Sequence, residues 1–199
     1  MALIGTLTLW CGARAWWATQ GQWDQILRWD PRDAEAWHEL APATRNAEDA
    51  LFCQRKAVEQ SPFNLYYAEA LARTLESFPG KEHLSEALTT YFMANRLAPT
   101  RAINDLAIAR LLWRNREPAR TFAWAENALA LEPNYWEAHF WKARALRALG
   151  KREEAAFTLE NLRRRHEEFM KAASTPPRSP YEEAILRYEE TAIRREGVQ

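Results

Sequence analysis

Ala128-Leu129-Ala130-Leu131-Glu132-Pro133 closes one segment of the chain, and three other segments close in the same way. They end Ala94-Asn95-Arg96-Leu97-Ala98-Pro99, Ala57-Val58-Glu59-Gln60-Ser61-Pro62 and Ile26-Leu27-Arg28-Trp29-Asp30-Pro31. The four prolines are separated by 31, 37 and 34 residues. A period near 34 is the length of one helix–turn–helix unit. Such a unit cannot bury its apolar face alone, so it must stack on its neighbours. Stacked units expose an extended binding surface rather than a catalytic pocket.

The register can be followed inside each unit. Seven residues before Ala57 and Ala94 stand Ala50 and Ala87, Thr121 holds that place before Ala128, and Ala155 holds it in the last unit. Small residues there let the second helix of a pair press on the first. Ala72, Ala109 and Ala143 take the small position of the first helices, with Leu75, Leu112 and Leu146 three residues later. Ala36-Trp37 and Leu40-Ala41 follow the pattern small-Trp…Leu-small, and Gly150 occupies an inter-helix turn. In these features the chain resembles the tetratricopeptide repeat (TPR) family from about residue 34 to 167. The resemblance implies an all-α, TPR-like helical solenoid of antiparallel helix pairs.

Helices are expected over 34–45, 48–60, 65–77, 83–97, 101–115, 118–131, 135–149 and 152–170, with a last one over 181–195. Strand signals are poor, because long alternating runs of β-branched residues do not occur. Asn134 has the position of a cap, and Ser179-Pro180-Tyr181-Glu182 has the form of a capping box. The loop 77–81 accounts for the long interval, and residues lost near Arg45-Asn46 for the short one. The expected organisation is an apolar helix over 1–20, repeats over 21–170, a proline-rich linker over 171–180 and a C-terminal capping helix over 181–199. Tyr181, Ile185, Tyr188 and Ala192 supply that last helix with one apolar face.

Composition narrows the function. The 27 basic and 27 acidic residues cancel, which argues against a nucleic-acid partner. Cys11 and Cys53 form neither a metal-ligand pair nor a disulfide framework. His38, His83, His139 and His166 share no ligand spacing with one another or with a cysteine, and are read as surface or inter-helix polar residues. No phosphate loop, nucleophile elbow or His-Glu-x-x-His occurs. No catalytic residue, metal or cofactor is expected.

Residues 1–18 read MALIGTLTLWCGARAWWA, with one charge. A membrane span needs about 20 mostly apolar residues, and tryptophan favours the membrane boundary. This stretch is expected to be a transmembrane anchor, with Trp10, Arg14, Trp16 and Trp17 at the interface. The alternative is a first helix that caps the array. An apolar span running through Ala13-Arg14-Ala15-Trp16-Trp17-Ala18 into repeats also resembles the C-terminal part of O-antigen ligase/polymerase family membrane proteins. That resemblance covers none of the polytopic catalytic part, so no catalytic residue carries over. It implies a bacterial inner-membrane protein with extracytoplasmic repeats, whereas the basic residues after the span favour a cytoplasmic side.

The TPR resemblance also implies which positions line the groove. Arg73, Arg110 and Arg144 share one of them, and the next turn adds Arg45, Trp113, Arg114 and Arg147. Arginine presents a planar fork that holds carboxylates, and Tyr66 and Phe140 add apolar contact. The competing reading pairs these arginines with Glu69, Glu76 and Glu137. The expected function is a non-catalytic protein-interaction scaffold, a membrane-anchored subunit that holds a partner protein of a larger membrane complex in its groove. The alternatives are an accessory module for cell-surface glycan assembly and a soluble TPR adaptor.

Overall fold

Alanines at helix contacts fix the architecture, because a missing side chain lets two backbones close. A computed structural model describes the backbone of residues 2–172 and the side chains of residues 10–164. Ala57, Ala72, Ala87, Ala94, Ala109, Thr121, Ala128 and Ala143 are all at most 1% exposed, and so are Leu75, Leu112 and Leu146. They are among the positions that set the repeat register; of the others, Ala155 is buried at 4% exposure and Ala50 is half-buried.

The described residues form helices and no strand. In order they are α1 (Ala2–Thr19), α2 (Trp23–Trp29), α3 (Ala34–Leu40), α4 (Ala47–Gln60), α5 (Leu65–Glu76), α6 (Lys81–Leu97), α7 (Ala102–Arg114), α8 (Pro118–Leu131), α9 (Trp136–Ala148) and α10 (Arg152–Ala172). The chain divides within α7 into two compact units, residues 1–111 and 112–199. In the first, each helix from α1 to α6 packs on the next. In the second, α8 packs on α9 and α9 on α10.

Local chemistry sets the helix ends. Asp33, Asn46 and Asn64 each accept a backbone N–H of the helix that follows, from Ala36, Asp49 and Tyr66. Gly150 sits at φ +82° and ends α9, with the Lys151 N–H donating to the Leu146 carbonyl at 3.0 Å. This is the left-handed terminus that glycine adopts without strain. Arg116 takes the same conformation after α7, at φ +62°, with the Glu117 N–H donating to the Leu112 carbonyl at 3.0 Å.

Several expectations need correction. Helix 34–45 stops at Leu40, and a 3-10 turn, Ala41–Ala43, replaces its end. Pro42 lacks the N–H that a further α-helical bond needs. α9 starts at Trp136 with Tyr135 at the cap position, one residue beyond Asn134. α2 is an additional helix, held by the fully buried Ile26. The expected linker and capping helix over 171–199 lie, but for the last two residues of α10, outside the described residues.

The transmembrane anchor is the largest correction. No helix among the described residues is long and apolar enough to cross a membrane. Arg14 does not reach toward headgroups. Its Nε donates to Asp33 at 2.6 Å, and its Nη2 donates to Asp33 at 3.1 Å and to Glu35 at 2.7 Å. Trp10 packs against Trp17 and Trp29, with ring centroids 6.2 and 6.3 Å apart. Only Trp16 of the expected interface residues points its bulk outward, at 57% exposure. The end of α1 is thus tied to the helix that opens the repeats, which is how an atypical first helix behaves.

Candidate functional site

The residues expected to line a groove fall on α5, α7 and α9, apart from Arg45, and each unit presents its own set. In the first unit ion pairs bridge α5 to α7 and to Arg101, the residue before α7. Arg101 approaches the buried Glu69, with Nε 3.4 Å from Oε1. Arg110 donates from Nη2 to both carboxylate oxygens of Glu76, at 2.9 and 2.8 Å. The Tyr91 hydroxyl of α6 donates to the same carboxylate at 2.7 Å. Burial and that acceptor together hold the Tyr91 hydroxyl far above its ordinary range. Glu76 therefore ties three helices together, and Arg110 is engaged as the competing reading expected.

Arg73 is exposed on α5 and lies within electrostatic reach of Tyr91. Tyr66 is 56% exposed, its ring edge-on to His38 at 4.7 Å. His38 is itself buried, with Nδ1 3.0 Å from Oε1 of Gln54. Arg45 is exposed in the turn before α4. His83 and His139 each contact a backbone carbonyl, of Pro79 and Pro133, at 2.9 Å.

The second unit carries the denser constellation. Arg144 of α9 stands over three rings, 4.8 Å from the Trp113 centroid and 5.3 Å from those of Phe140 and Trp141. Phe140 and Trp141 are buried, whereas Trp113 and Arg144 are half-buried. Glu137, Phe140, Arg144 and Arg147 follow one another at spacings of three and four residues, so they share one stripe of α9. Trp141 donates its indole N–H to Glu137 at 3.3 Å. Arg147 in the last turn and Arg114 at the end of α7 are exposed. Positive charge in a last turn also suits the helix dipole.

This arrangement fixes a guanidinium by its faces. Stacking on aromatic rings is worth about 0.5–2 kcal/mol per contact and fixes the plane of the guanidinium. The spacing of Phe140 and Arg144 was readable in the sequence. The enclosure by Trp141 was not, because position 141 reads as a plain core residue.

One of the buried polar groups that the sequence reading did not mark carries a charge. Asp105 of α7 is 3% exposed, and burial pushes its carboxyl up to about 6, against a bond from Asn95 that lowers it. Nothing in the sequence marks it, since its partner lies on α6. Among the described residues no group of three or more His, Cys, Asp or Glu is placed to hold a metal ion.

No protein-family model matches the chain, and no curated protein matches it in sequence. Solved structures do. A crystal structure of MamA superposes with a TM-score of 0.69 at 16% identity, over 85% of this chain and 97% of that one. A second MamA structure gives 0.66 at 17% identity, over 78% and 95%. YrrB, described as a TPR protein with an unusual peptide-binding site, gives 0.58 at 19% identity, over 70% and 72%. Nothing in these likenesses supports the expected link to O-antigen ligase/polymerase proteins. They establish the fold, which is TPR-like.

Proposed function

We propose that the chain is a non-catalytic interaction scaffold that binds an acidic segment of a partner protein on the helix faces carrying Arg144 and Arg147. The observation that carries this reading is Arg144 held over Trp113, Phe140 and Trp141. A preoriented guanidinium loses little side-chain freedom on binding a carboxylate, and Arg is the cation suited to that fork. Arg114 and Arg147 add positive charge, and Trp113 adds an apolar surface for a residue between the acids. The first unit by itself carries residues of the same chemistry in Arg73 and Tyr66, with Arg45 as a further exposed cation. Arg110 serves as a brace through Glu76 rather than as a ligand. The peptide-binding site named for YrrB makes this use of the fold reasonable. No cofactor enters the mechanism, and the reading needs no membrane anchor.

The test is fluorescence anisotropy with a labelled peptide, Glu-Glu-Tyr-Glu-Glu, and the full chain. Binding should weaken steeply with salt, as charge pairing requires. Arg144→Glu should weaken it at least tenfold, and Arg144→Lys should restore only part, because Lys lacks the fork. Equal binding of a Lys-Lys-Tyr-Lys-Lys peptide would overturn the reading.

A further inference from the structure

The start of α7 buries polar groups that the scaffold reading leaves unused. Asn104 and Asp105 are 1% and 3% exposed. Asp105 takes a hydrogen bond from the Asn95 side chain of α6. The amide N–H of Asn95 is the donor, because an ionised carboxylate can only accept. The oxygen of the same amide, Oδ1, is buried and has no hydrogen-bond partner. A buried acceptor without a donor is costly. A proton on the carboxyl removes that cost, since a carboxylic acid offers one O–H donor and keeps an accepting oxygen. Acid and amide then exchange two hydrogen bonds, the O–H donating to Oδ1 and the N–H to the other carboxyl oxygen. We propose that Asp105 and Asn95 form a proton-dependent latch between α7 and α6, closed while Asp105 is a neutral acid and released when it ionises. The latch stands whether or not the Arg144 surface binds a peptide.

The neighbouring charges are committed elsewhere. Among the described residues Asn95 is the one side chain that acts on Asp105, and no charge does. Arg101, one turn earlier, approaches Glu69 of α5, and Arg110 of α7 holds Glu76 of α5. Arg73 of α5 is exposed and lies within reach of Tyr91. On α6 the Tyr91 hydroxyl donates to Glu76, Glu86 pairs with Arg55, His83 contacts the Pro79 carbonyl and Arg96 is exposed. Asn104 has a buried Nδ2 without a partner. Successive side chains of a helix do not face each other, so this N–H does not serve Asp105. Ionisation therefore leaves a buried charge on one N–H bond, with the oxygen of the same amide close by. Burial raises the carboxyl to about 6, which sets the pH at which the latch releases.

The test follows the isotope-labelled full chain by NMR from about pH 4 to 8. The Asp105 carboxyl carbon should titrate near pH 6, and the Asn95 carboxamide carbon should move in the same step. Amide exchange, corrected for its intrinsic pH dependence, should quicken roughly tenfold between about pH 5 and 8 in residues 102–108 and in the last turns of α6. That is the change linkage requires of a carboxyl at about 6 when the joint is closed and about 4 when it is open. Protection in α3 and α4 should hold. Asp105→Asn supplies an N–H donor at every pH, so its joint should stay protected throughout. An Asp105 carboxyl that is charged over the whole range would overturn the proposal. So would an Asn95 carbon that stays still while Asp105 titrates, an equal quickening in α3 and α4, or a quickening that persists in Asp105→Asn.

Discussion

Arg110 and Glu76 stand 34 residues apart, one repeat period, and join where the guanidinium Nη2 lies 2.9 and 2.8 Å from the two carboxylate oxygens. The pair stitches α7 to α5, and Tyr91 adds the third bond to the same carboxylate. Both partners are shielded, at 34% and 16% side-chain exposure, so screening by water is partial.

Removing one partner of this network strands the others. Glu76→Ala should therefore destabilise the chain by about 1–3 kcal/mol, the cost of leaving buried polar groups unpaired. Tyr91→Phe should cost about 1 kcal/mol. The double mutant Arg110→Ala with Glu76→Ala should cost less than the two singles added, which urea denaturation of the four-variant cycle measures.

Asp105 gives a pH signature of defined sign. Its folded-state carboxyl is raised to about 6, above the unfolded value of about 4. The neutral form is then favoured by folding. Stability from this group is present below about pH 4, falls as pH rises toward 6, and is absent above that. Asp105→Asn should raise stability at pH 7.5 by about 1–3 kcal/mol. It should also flatten that part of the stability–pH curve. Melting temperatures of both proteins from pH 4 to 8 check this.

The turn at Arg116 holds a non-glycine residue at φ +62°. It stands one period before Gly150, which ends α9 in the same way. A side chain in that conformation costs roughly 1 kcal/mol. Arg116→Gly should thus stabilise the chain by about 0.5–1 kcal/mol, an unusual sign for a change to glycine. A rise in the melting temperature is the readout.

Asp33 does two tasks, capping α3 through the Ala36 N–H and holding Arg14. Burial pushes its carboxyl up, but the bonds from Arg14 and Ala36 and the charge of Arg14 outweigh this and leave it below its ordinary value. Its stabilisation is present above about pH 4 and lost as the pH falls through its folded value. Asp33→Ala should cost about 1–2 kcal/mol from the cap alone. Glu35→Ala should cost less than about 1 kcal/mol, since that carboxylate is 54% exposed. Amide exchange in residues 10–19 should quicken in the first variant and not in the second.

The repeat register was legible because it is written in local spacing. Each alanine that sets it must be small, and all but the half-buried Ala50 are buried. The helix starts after Asn46 and Asn64 are equally local, since each cap accepts an N–H only three or two residues along the chain. Arg14 was misread for the opposite reason. Its partners lie 19 and 21 residues along the chain, so one charge in an apolar stretch looked like a residue bound for headgroups. Arg110 was legible only as a position. The sequence offered both a ligand role and Glu76, and packing decided which neighbour came within reach. The Arg144 cluster was half legible, since Phe140 and Arg144 share a helix face by spacing while Trp113 comes from another helix.

The ten tryptophans of the chain make its central claim directly measurable, because each indole N–H reports its own surroundings. Titration of the full chain with the Glu-Glu-Tyr-Glu-Glu peptide should shift the Trp113 and Trp141 resonances and leave Trp10, Trp16 and Trp29 in place. The same titration of Arg144→Glu should leave all ten unmoved. Shifts confined to the tryptophans of α1 and α2, or shifts at Trp113 that persist in Arg144→Glu, would contradict the assignment of partner binding to the stacked arginine of α9.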